Sequence, residues 1–398
     1  MPAANSVPKS SLRAMIYVQN LLGIGHLRRA GAIAKAAAAS GLDVAFVSGG
    51  MPVPHLDIGG ARFIQLPPVR TEDHDFKNLI GDTGSPVDDV WKAARREQLL
   101  AIFEAERPNV LMTELFPFGR RQMRFELLPL LERARAADWR PGIVSSMRDI
   151  LVTKPRLDRN QEIVETVQKF YDRVLVHGDA SVIALETTFP LYAEIAQYVK
   201  YTGYVVTPDE DSADEDSRGA EQSVGAGEIV VSAGGGAVGR HYISEVFRLR
   251  ERLPFQDQRW RFLAGYHMPD DVFEHLVAGQ GERVIVERSR PDLPSLMRRA
   301  KLSISQAGYN TVMELIATGV PAVVVPFEGG VETEQRLRAD LLAERGRLQV
   351  VRETELTVET LGAAMRRAVA ADRHVVAGVD LEGAQRTAVI LRELASGG

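Results

Sequence analysis

The sequence predicts an α/β fold of two domains, each built around a parallel β-sheet. Short apolar runs rich in β-branched residues alternate with helical stretches along most of the 398 residues, a pattern typical of a parallel sheet covered by helices. The runs are almost continuously apolar, as expected for strands that are buried on both faces. The chain is also too long for one ordinary core, so two domains are expected.

The two halves of the chain supply matching sets of strands. Strands are predicted within AMIYVQN, LDVAFVSGG, PNVLMTE, PGIVSSMRD and DRVLVHGD of the first half, and within EIVVSAG, WRFLAG, RVIVER, LSISQAG and PAVVVPF of the second. Each half begins with the order strand, Gly-rich turn, helix, first in MIYVQNLLGIGHLRRAGAIAKAAAASG and again in EIVVSAGGGAVGRHYISEVFRLRERL. We therefore expect two Rossmann-like domains that face each other across a cleft.

The domain boundary is predicted in an acidic stretch near the middle of the chain. Residues 207–228, TPDEDSADEDSRGAEQSVGAGE, contain few large apolar residues, so we expect a flexible linker or loop there. Residues 1–12 are predicted to be a flexible tail, and residues 13–206 the N-terminal domain. Residues 229–398 are predicted to be the C-terminal domain, with a last helix that could pack back on the N-terminal domain.

Composition excludes several classes of protein. The net charge of −5, from 48 basic and 53 acidic residues, gives no whole-molecule case for nucleic-acid binding. Cysteine is absent, which excludes disulfides and thiol chemistry and fits a reducing cytoplasm. The first residues lack the apolar segment of a secretory signal, and no apolar run approaches the roughly 20 residues of a membrane helix. We expect a cytoplasmic protein without a transmembrane segment.

Candidate site residues of the first half follow its predicted strands, because ligands of open parallel sheets bind beyond the carboxyl ends of the strands. The candidates are Gly23, Gly25, His26, Glu114, Arg120, Arg148, Asp149, His177 and Asp179. A general base for a hydroxyl is a histidine or a carboxylate within hydrogen-bond reach. His26 is the first choice, because GIGH places it after a tight glycine turn at a helix start. Asp149 and Glu114 are the alternatives.

Some of these residues also have plain structural interpretations. Asp149 and Asp179 could be helix N-caps, and His177 could be a hydrogen-bonded core histidine. The basic and aromatic stretch FPFGRRQMR, residues 116–124, could line a ligand pocket or cap a helix. The sequence leaves these alternatives open.

The second half offers two helix starts that suit an anion. SAGGGAVG, residues 232–239, contains Gly234, Gly235 and Gly236 but lacks the Lys-Ser/Thr of a P-loop. Its expected role is close backbone approach to a phosphate at a helix N-terminus. Gly308 precedes a second such start, and Glu314 lies about one turn into that helix, on the face of Asn310. Glu314 either lies on a solvated face or accepts from ribose hydroxyls of a nucleotide whose diphosphate sits at the helix start.

The segment SQAGYNTVMELIATGVPAVVVPF, followed by ETEQRLRA, resembles the donor-binding segment of family 28 glycosyltransferases. GIGHLRRA resembles the N-terminal Gly-rich turn of that family, and YTGYVV, residues 201–206, resembles the segment that enters its C-terminal domain. ELFPFGRR, SSMRD and LVHGD are more similar to a bacterial branch of predicted glycosyltransferases than to the peptidoglycan-precursor enzyme. The resemblance implies the GT-B fold, with two Rossmann-like domains, and metal-independent, inverting transfer. It does not identify the acceptor.

The resemblance also assigns residues. Glu314 would bind the nucleotide ribose, and Glu334 and Gln335 would lie near the donor sugar. The remaining donor-side candidates are Gly234, Gly235, Gly236, Arg288, Gln306, Gly308, Tyr309, Asn310 and Thr311; the acceptor-side candidates are Gly23, Gly25, Arg120, Arg148, His177 and Asp179. No cofactor or metal is expected, and DHD, residues 73–75, is interpreted as a polar loop.

The predicted function is transfer of a sugar from a nucleotide-diphosphate donor, with a UDP-sugar favoured, to an acceptor hydroxyl. The acceptor is a small molecule, a glycan or a lipid-linked glycan, and FPFGRRQMR could touch the last of these at a membrane surface. Three alternatives remain. GIGHLRR also resembles the turn of the UDP-sugar hydrolase of pseudaminic acid synthesis, a non-hydrolysing sugar-nucleotide epimerase shares the architecture, and a non-catalytic nucleotide-sugar-binding protein would keep Glu314.

Overall fold

The computed structural model describes residues 12–21, 24–53, 56–71, 78–151, 157–206, 224–232, 239–265, 268–290, 292–329, 334–371 and 378–397. Within these ranges the chain forms two parallel sheets with helices packed against them. Among the helices of the described ranges, none is long and apolar enough to cross a membrane.

The N-terminal sheet has seven parallel strands. The elements of this half are β1 Arg13–Val18, α1 Gly25–Ala39, β2 Asp43–Ser48, β3 Arg62–Gln65, β4 Val69–Arg70, β5 Ile80–Gly81, α2 Asp89–Glu106, β6 Val110–Glu114, α3 Arg124–Ala136, β7 Gly142–Arg148, α4 Leu157–Phe170, β8 Arg173–His177, α5 Tyr192–Ile195 and β9 Val199–Tyr201. The sheet order is β3-β2-β1-β6-β7-β8-β9, and β4 and β5 form a separate antiparallel pair. The central strands are almost fully buried, which explains their continuous apolar runs.

The C-terminal sheet has six parallel strands, in the order β12-β11-β10-β13-β14-β15. Its elements, with the final helix of the chain, are β10 Ile229–Ser232, α6 Arg240–Leu249, β11 Trp260–Ala264, α7 Asp270–Ala278, β12 Val284–Arg288, α8 Leu293–Arg299, β13 Leu302–Ser305, α9 Tyr309–Thr318, β14 Ala322–Val324, α10 Glu334–Glu344, β15 Gln349–Val350, α11 Val358–Ala370 and α12 Gly383–Ala395. The ten strands expected from the sequence are present. The edge strands β3, β9 and β15 are additions, and their two to four residues are too short to give a clear apolar run.

Strand order reverses direction once in each sheet, between β1 and β6 and between β10 and β13. At such a reversal the two connecting segments leave in opposite directions and open a crevice beyond the carboxyl ends of the strands. In the N-terminal sheet this crevice lies between the start of α1 and the end of β6. In the C-terminal sheet it lies between the segment after β10 and the start of α9.

The final helix, α12, packs on α1 of the N-terminal sheet. Ala388 and Leu391 belong to the same buried cluster as Ile33 of α1 and Val110 of β6. The chain returns through a tight passage at Gly383, where an added Cβ would lie 2.4 Å from the Gly203 carbonyl oxygen. A side chain at Gly383 would therefore separate α12 from the segment between the two sheets.

The predicted linker, residues 207–228, needs one correction at its C-terminal end. Residues 207–223 lie outside the described residues, but 224–227 form a turn and Glu228 is only 3% exposed. Glu228 pairs with Arg261 of β11 at 2.6 Å. A buried carboxylate with a fixed partner belongs to a folded unit, so Glu228 is part of the C-terminal half.

Candidate active site

His26 and Glu114 form a pair at the crevice of the N-terminal sheet. His26 is the second residue of α1 and Glu114 is the last residue of β6, and the pairing of β1 with β6 brings the two segments together. His26 Nδ1 lies 2.8 Å from Glu114 Oε1. Arg29, one turn further along α1, also contacts this carboxylate, and Ser146 Oγ donates to its second oxygen at 2.5 Å.

The electrostatics of the pair leave His26 neutral. Burial, followed by the charge of Arg120, lowers the pKa of His26 to about 3. Burial alone would raise the pKa of Glu114, but Arg29 and His26 hold it well below its usual range. Nδ1 lies 2.8 Å from Glu114 Oε1 and 3.1 Å from Arg29 Nη2. The shorter contact, to the carboxylate, favours a proton on Nδ1, and this tautomer leaves the lone pair on Nε2. The side chain of His26 is 14% exposed, and Nε2 has no hydrogen-bond partner among the described residues.

His177 continues the hydrogen-bond chain into the interior. Ser146 Oγ lies 2.9 Å from His177 Nε2, and His177 Nδ1 lies 2.8 Å from Thr202 Oγ1. His177 is completely buried, and burial lowers its pKa to about 3. Both ring nitrogens are bonded within the protein, which favours the interpretation of His177 as a core histidine over an acceptor-side role.

Asp149 is committed to an arginine of the other domain. Its two oxygens accept from Arg338 Nε at 3.1 Å and Arg338 Nη2 at 2.7 Å, and both residues are completely buried. Arg338 occupies both oxygens, which favours a structural role for Asp149 over the alternative of Asp149 as the base. Arg338 was not predicted as a site residue. At four residues after Glu334 on a helix, it fits an ordinary surface ion pair in the sequence.

Two further predicted residues have structural partners. Asp179 Oδ1 accepts from the Ser181 amide at 2.8 Å, and Oδ2 accepts from the Asp380 amide at 3.3 Å. Asp179 therefore closes a turn and holds the returning chain, and its acceptor-side role stays a prediction. Arg148 Nη2 lies 2.5 Å from Glu334 Oε2, so this arginine also joins the two domains.

The start of α9 lies directly opposite the start of α1. Asn310 Nδ2 donates to the Gly25 carbonyl oxygen at 3.3 Å. Gly308 precedes α9, and an added Cβ there would meet no described atom within 4 Å. The protein around Gly308 thus leaves space next to the free N–H groups of the helix, where the macrodipole favours an anion. Thr311 follows in the first turn and is partly buried.

Several donor-side candidates instead hold the protein together. Tyr309 donates to the His177 carbonyl oxygen at 2.9 Å, and its ring lies between the guanidinium groups of Arg29 and Arg338. Glu334 is 3% exposed and pairs with Arg338 at 2.7 Å in addition to Arg148. Protein groups occupy the polar atoms of Tyr309 and Glu334, so their donor contacts stay predictions that this arrangement does not favour.

Gln335 and Gln306 lie beside these interdomain contacts. Gln335 Oε1 accepts from the amides of Ala307 and Phe327, both at 3.2 Å. It thereby ties α10 to the segments that follow β13 and β14. Gln306, at the end of β13, is 5% exposed. The Gln335 side chain supports the segment that leads into α9.

Arg288 does not point to a diphosphate site. It donates to the Met268 carbonyl oxygen at 3.0 Å, pairs with Asp270 at 2.7 Å and covers the ring of Phe273. These contacts hold Arg288 within the C-terminal half, and its donor-side role stays a prediction. Four predicted glycines, Gly23, Gly234, Gly235 and Gly236, lie outside the described residues, as does the DHD stretch.

Glu314 is partly buried on the side of α9 that approaches α1. Burial raises its pKa to about 7, and the nearby charge of Arg28 only partly opposes this. A carboxylate on a solvated face would not be desolvated in this way. Partial burial favours the ribose role over the solvated face, and both stay predictions. Glu314 is a carboxylate with little stabilisation from the protein.

Comparison with known proteins points to one family. Residues 234–375 match the glycosyltransferase family 28 C-terminal domain. The UDP-N-acetylglucosamine--N-acetylmuramyl-(pentapeptide) pyrophosphoryl-undecaprenol N-acetylglucosamine transferase of Methylorubrum extorquens (strain PA1) is 31% identical over 175 residues, which are 41% of this chain and 47% of that protein. The transferase of the same name from Exiguobacterium sibiricum is 35% identical over 79 residues, 20% of this chain and 22% of that protein. The matches thus span less than half of these curated relatives.

Solved structures share the whole fold. MurG of Acinetobacter baumannii superposes with a TM-score of 0.58 at 14% identity, over 96% of this chain and 99% of that chain. The glycosyltransferase VinC, solved in complex with dTDP, superposes with a TM-score of 0.63 at 13% identity, over 97% and 100%. At these identities the likeness establishes the fold. The C-terminal half of the chain is therefore similar to the glycosyltransferase family 28 C-terminal domain, and the chain as a whole has the two-domain GT-B fold.

Proposed function

We propose that this protein is an inverting, metal-independent glycosyltransferase that moves a sugar from a UDP-sugar to an acceptor hydroxyl. The observation that carries the proposal is the apposition of two helix starts across the cleft. The His26–Glu114 pair lies at the start of α1, and the Asn310–Gly25 contact places the start of α9 beside it. A neutral histidine with an open nitrogen thus faces the region that matches the family 28 domain.

The donor is expected at the start of α9. The free N–H groups and the macrodipole suit a diphosphate, and the space beside Gly308 admits one. Glu314, one turn further on, would accept from the two ribose hydroxyls. Relatives named for UDP-N-acetylglucosamine and a similar fold solved with dTDP support a nucleotide-diphosphate donor.

The acceptor hydroxyl would lose its proton to His26 Nε2. The hydroxyl oxygen forms a bond to the anomeric carbon while the bond from that carbon to the diphosphate oxygen breaks, with attack from the opposite face and inversion. Glu114 orients the ring through Nδ1 and stabilises the imidazolium that forms. The departing nucleoside diphosphate carries the electron pair away, and preorganised N–H donors stabilise the charge that develops on it. These donors occupy the position that a metal ion would otherwise fill.

Product analysis tests the proposal. The protein is incubated with UDP-N-acetylglucosamine and other nucleotide sugars, with soluble or lipid extracts as the acceptor source, with and without excess EDTA. We expect UDP release that requires an acceptor, a new glycoside detected by mass spectrometry, and no effect of EDTA. Stoichiometric free sugar without acceptor would instead indicate a hydrolase, and an epimerised sugar still joined to UDP an epimerase. Binding without turnover would leave only a binding protein, and loss of activity restored by Mg²⁺ or Mn²⁺ would contradict metal independence.

Affinity for UDP-N-acetylglucosamine is expected to rise with pH up to about 7 and then level off, because ribose hydroxyls donate to the ionised form of Glu314. Each pH unit below the pKa should weaken binding by up to about tenfold. Glu314→Gln should bind roughly 10- to 150-fold more weakly at pH 8, since hydrogen bonds to charged groups are worth about 1.5–3 kcal/mol, and should lose the pH dependence. Calorimetric titration at several pH values measures both effects. The phosphates of UDP-N-acetylglucosamine are diesters and do not titrate in this pH range.

Stability of the free protein provides an independent check on Glu314. Its folded-state pKa is raised from 4.5 to about 7, so its ionisation lowers stability as pH rises through this window. Glu314→Gln should therefore be at least as stable as wild type at pH 8. Glu274→Gln, at an exposed position of α7, is the control. It should change neither the affinity for UDP-N-acetylglucosamine nor the free energy of unfolding. If the affinity for UDP-N-acetylglucosamine has the same pH dependence in wild type and Glu314→Gln, Glu314 does not belong to the nucleotide site.

A further inference from the structure

The cleft contains an arginine without a carboxylate partner. Arg120 Nε donates to the Gln19 carbonyl oxygen at 2.7 Å. Within the part of the chain that the structure describes, its terminal nitrogens have no hydrogen-bond partner and no carboxylate lies within ion-pair distance. The residue is partly buried. Burial lowers its pKa to about 10; Glu114 opposes this change, and Arg148 and Arg29 add to it.

The carboxylates around Arg120 are already paired. Glu114 binds Arg29 and faces His26, and Glu334 binds Arg148. Asp149 is held by Arg338 in the same interdomain cluster. A guanidinium taken partly out of water costs several kcal/mol unless an anion or enough hydrogen-bond acceptors replace the lost hydration. One backbone carbonyl replaces only a small part of the lost hydration, so the positive charge of Arg120 is not fully compensated.

The backbone at Arg120 is strained as well. Arg120 has φ 58° and ψ 31°, and Leu115, five residues earlier in the same loop, has φ 66°. A left-handed conformation costs a non-glycine residue about 1–2 kcal/mol. Glycine would relieve that cost at position 120, and Gly119 immediately precedes it. Arg120 is held in this conformation and is near enough to His26 for its charge to lower the pKa of that histidine. This combination favours a functional role for Arg120 over a structural one.

From this geometry we propose that Arg120 binds an anionic group, a phosphate or a carboxylate, of the acceptor beside the hydroxyl that His26 activates. Arg120 belongs to the N-terminal domain and is fixed to the end of β1, on the side of the base. The donor diphosphate is assigned to the start of α9 in the other domain. The planar fork of arginine suits the oxygens of a phosphate or carboxylate. The inference rests on the proposed transferase function and narrows the acceptor to a negatively charged molecule.

The test uses inorganic phosphate as the anion probe. The full-length protein is first saturated with UDP, so that the donor position is filled, and phosphate is then titrated by calorimetry. Phosphate is expected to bind wild type and to bind Arg120→Gln at least about tenfold more weakly, the effect of losing a charge-assisted hydrogen bond. Arg120→Lys keeps the charge without the fork and should be intermediate. Arg121→Gln, at the next position with a side chain 56% exposed, is the control and should match wild type.

A second titration, with UDP-N-acetylglucosamine, distinguishes the donor diphosphate from an anionic group of the acceptor. Affinity for UDP-N-acetylglucosamine should be unchanged in Arg120→Gln. A fall in that affinity would assign Arg120 to the donor diphosphate and overturn the proposal. Phosphate binding that is absent from UDP-saturated wild type, or equal in wild type and Arg120→Gln, would overturn it too. Failure of the transferase function has a different signature, since no nucleotide sugar would then be turned over whether or not phosphate binding depends on Arg120.

Discussion

Replacing His26 with alanine is expected to lower turnover by roughly two to four orders of magnitude, the usual contribution of a general base. Affinity for the nucleotide sugar should stay near the wild-type value, because the donor contacts are assigned to the other domain. The Glu114 contact and the depressed pKa keep the imidazole neutral and oriented at pH 7. Steady-state kinetics at saturating donor, with calorimetric donor binding in parallel, measure both quantities. His275→Ala, an exposed histidine of α7, is the matched control.

The pH profile should separate His26 from an ordinary histidine. With a pKa of about 3, its imidazole does not become protonated between pH 5 and 8. The turnover rate at saturating donor should therefore show no loss centred near 6.5. The folded-state pKa is lower than the unfolded value, so this histidine lowers stability progressively as pH falls from 6.5 towards 3. A collapse of donor binding in His26→Ala would make His26 a donor contact, and unchanged turnover would make Asp149 or Glu114 the leading candidate base.

The sequence predicted His26 and Glu114 as alternatives, and the structure shows them as partners. Each lies after an apolar strand, and that pattern places both at the carboxyl edge of a parallel sheet. Their contact depends on β6 pairing with β1, across a separation of 88 residues, which apolar patterning does not specify. The fold class could be predicted from local periodicity, because every strand of the two sheet centres is an apolar run. The order of the strands within each sheet could not be predicted in this way.

The interdomain contacts were beyond sequence reasoning for a related reason. Tyr309 and Glu334 lie in the segment that resembles a donor site, and local pattern cannot show that a residue 132 or 186 positions away occupies their polar atoms. Buried polar groups are fixed by partners from distant elements. Arg338 is the clearest case, since it looks like an exposed helical arginine in the sequence and is completely buried in the structure.

Arg338→Met is expected to destabilise the protein by roughly 3–5 kcal/mol, the usual effect of removing one partner from a buried ion pair. The substitution would leave the Asp149 carboxylate buried beside the Ile150 amide and the Tyr204 side chain, without a cationic partner among the described residues. Arg336→Met, two residues earlier on α10 with a side chain 42% exposed, is the control and should cost less than about 1 kcal/mol. Urea unfolding of the full chain, followed by fluorescence, measures the difference.

Variants of the Arg338–Asp149 pair also test whether Asp149 is a structural residue or the general base. Asp149→Asn should lower stability, and Asp149→Asn combined with Arg338→Met should be less destabilised than the sum of the two single variants, because each removes the charge that the other leaves unpaired. Turnover of Asp149→Asn, measured well below its unfolding temperature, should stay within about tenfold of wild type, whereas a lost general base costs roughly two to four orders of magnitude. A large loss of turnover with unchanged stability would restore Asp149 as the base. Additive single effects would show that the Arg338–Asp149 contact between the domains is not formed in solution.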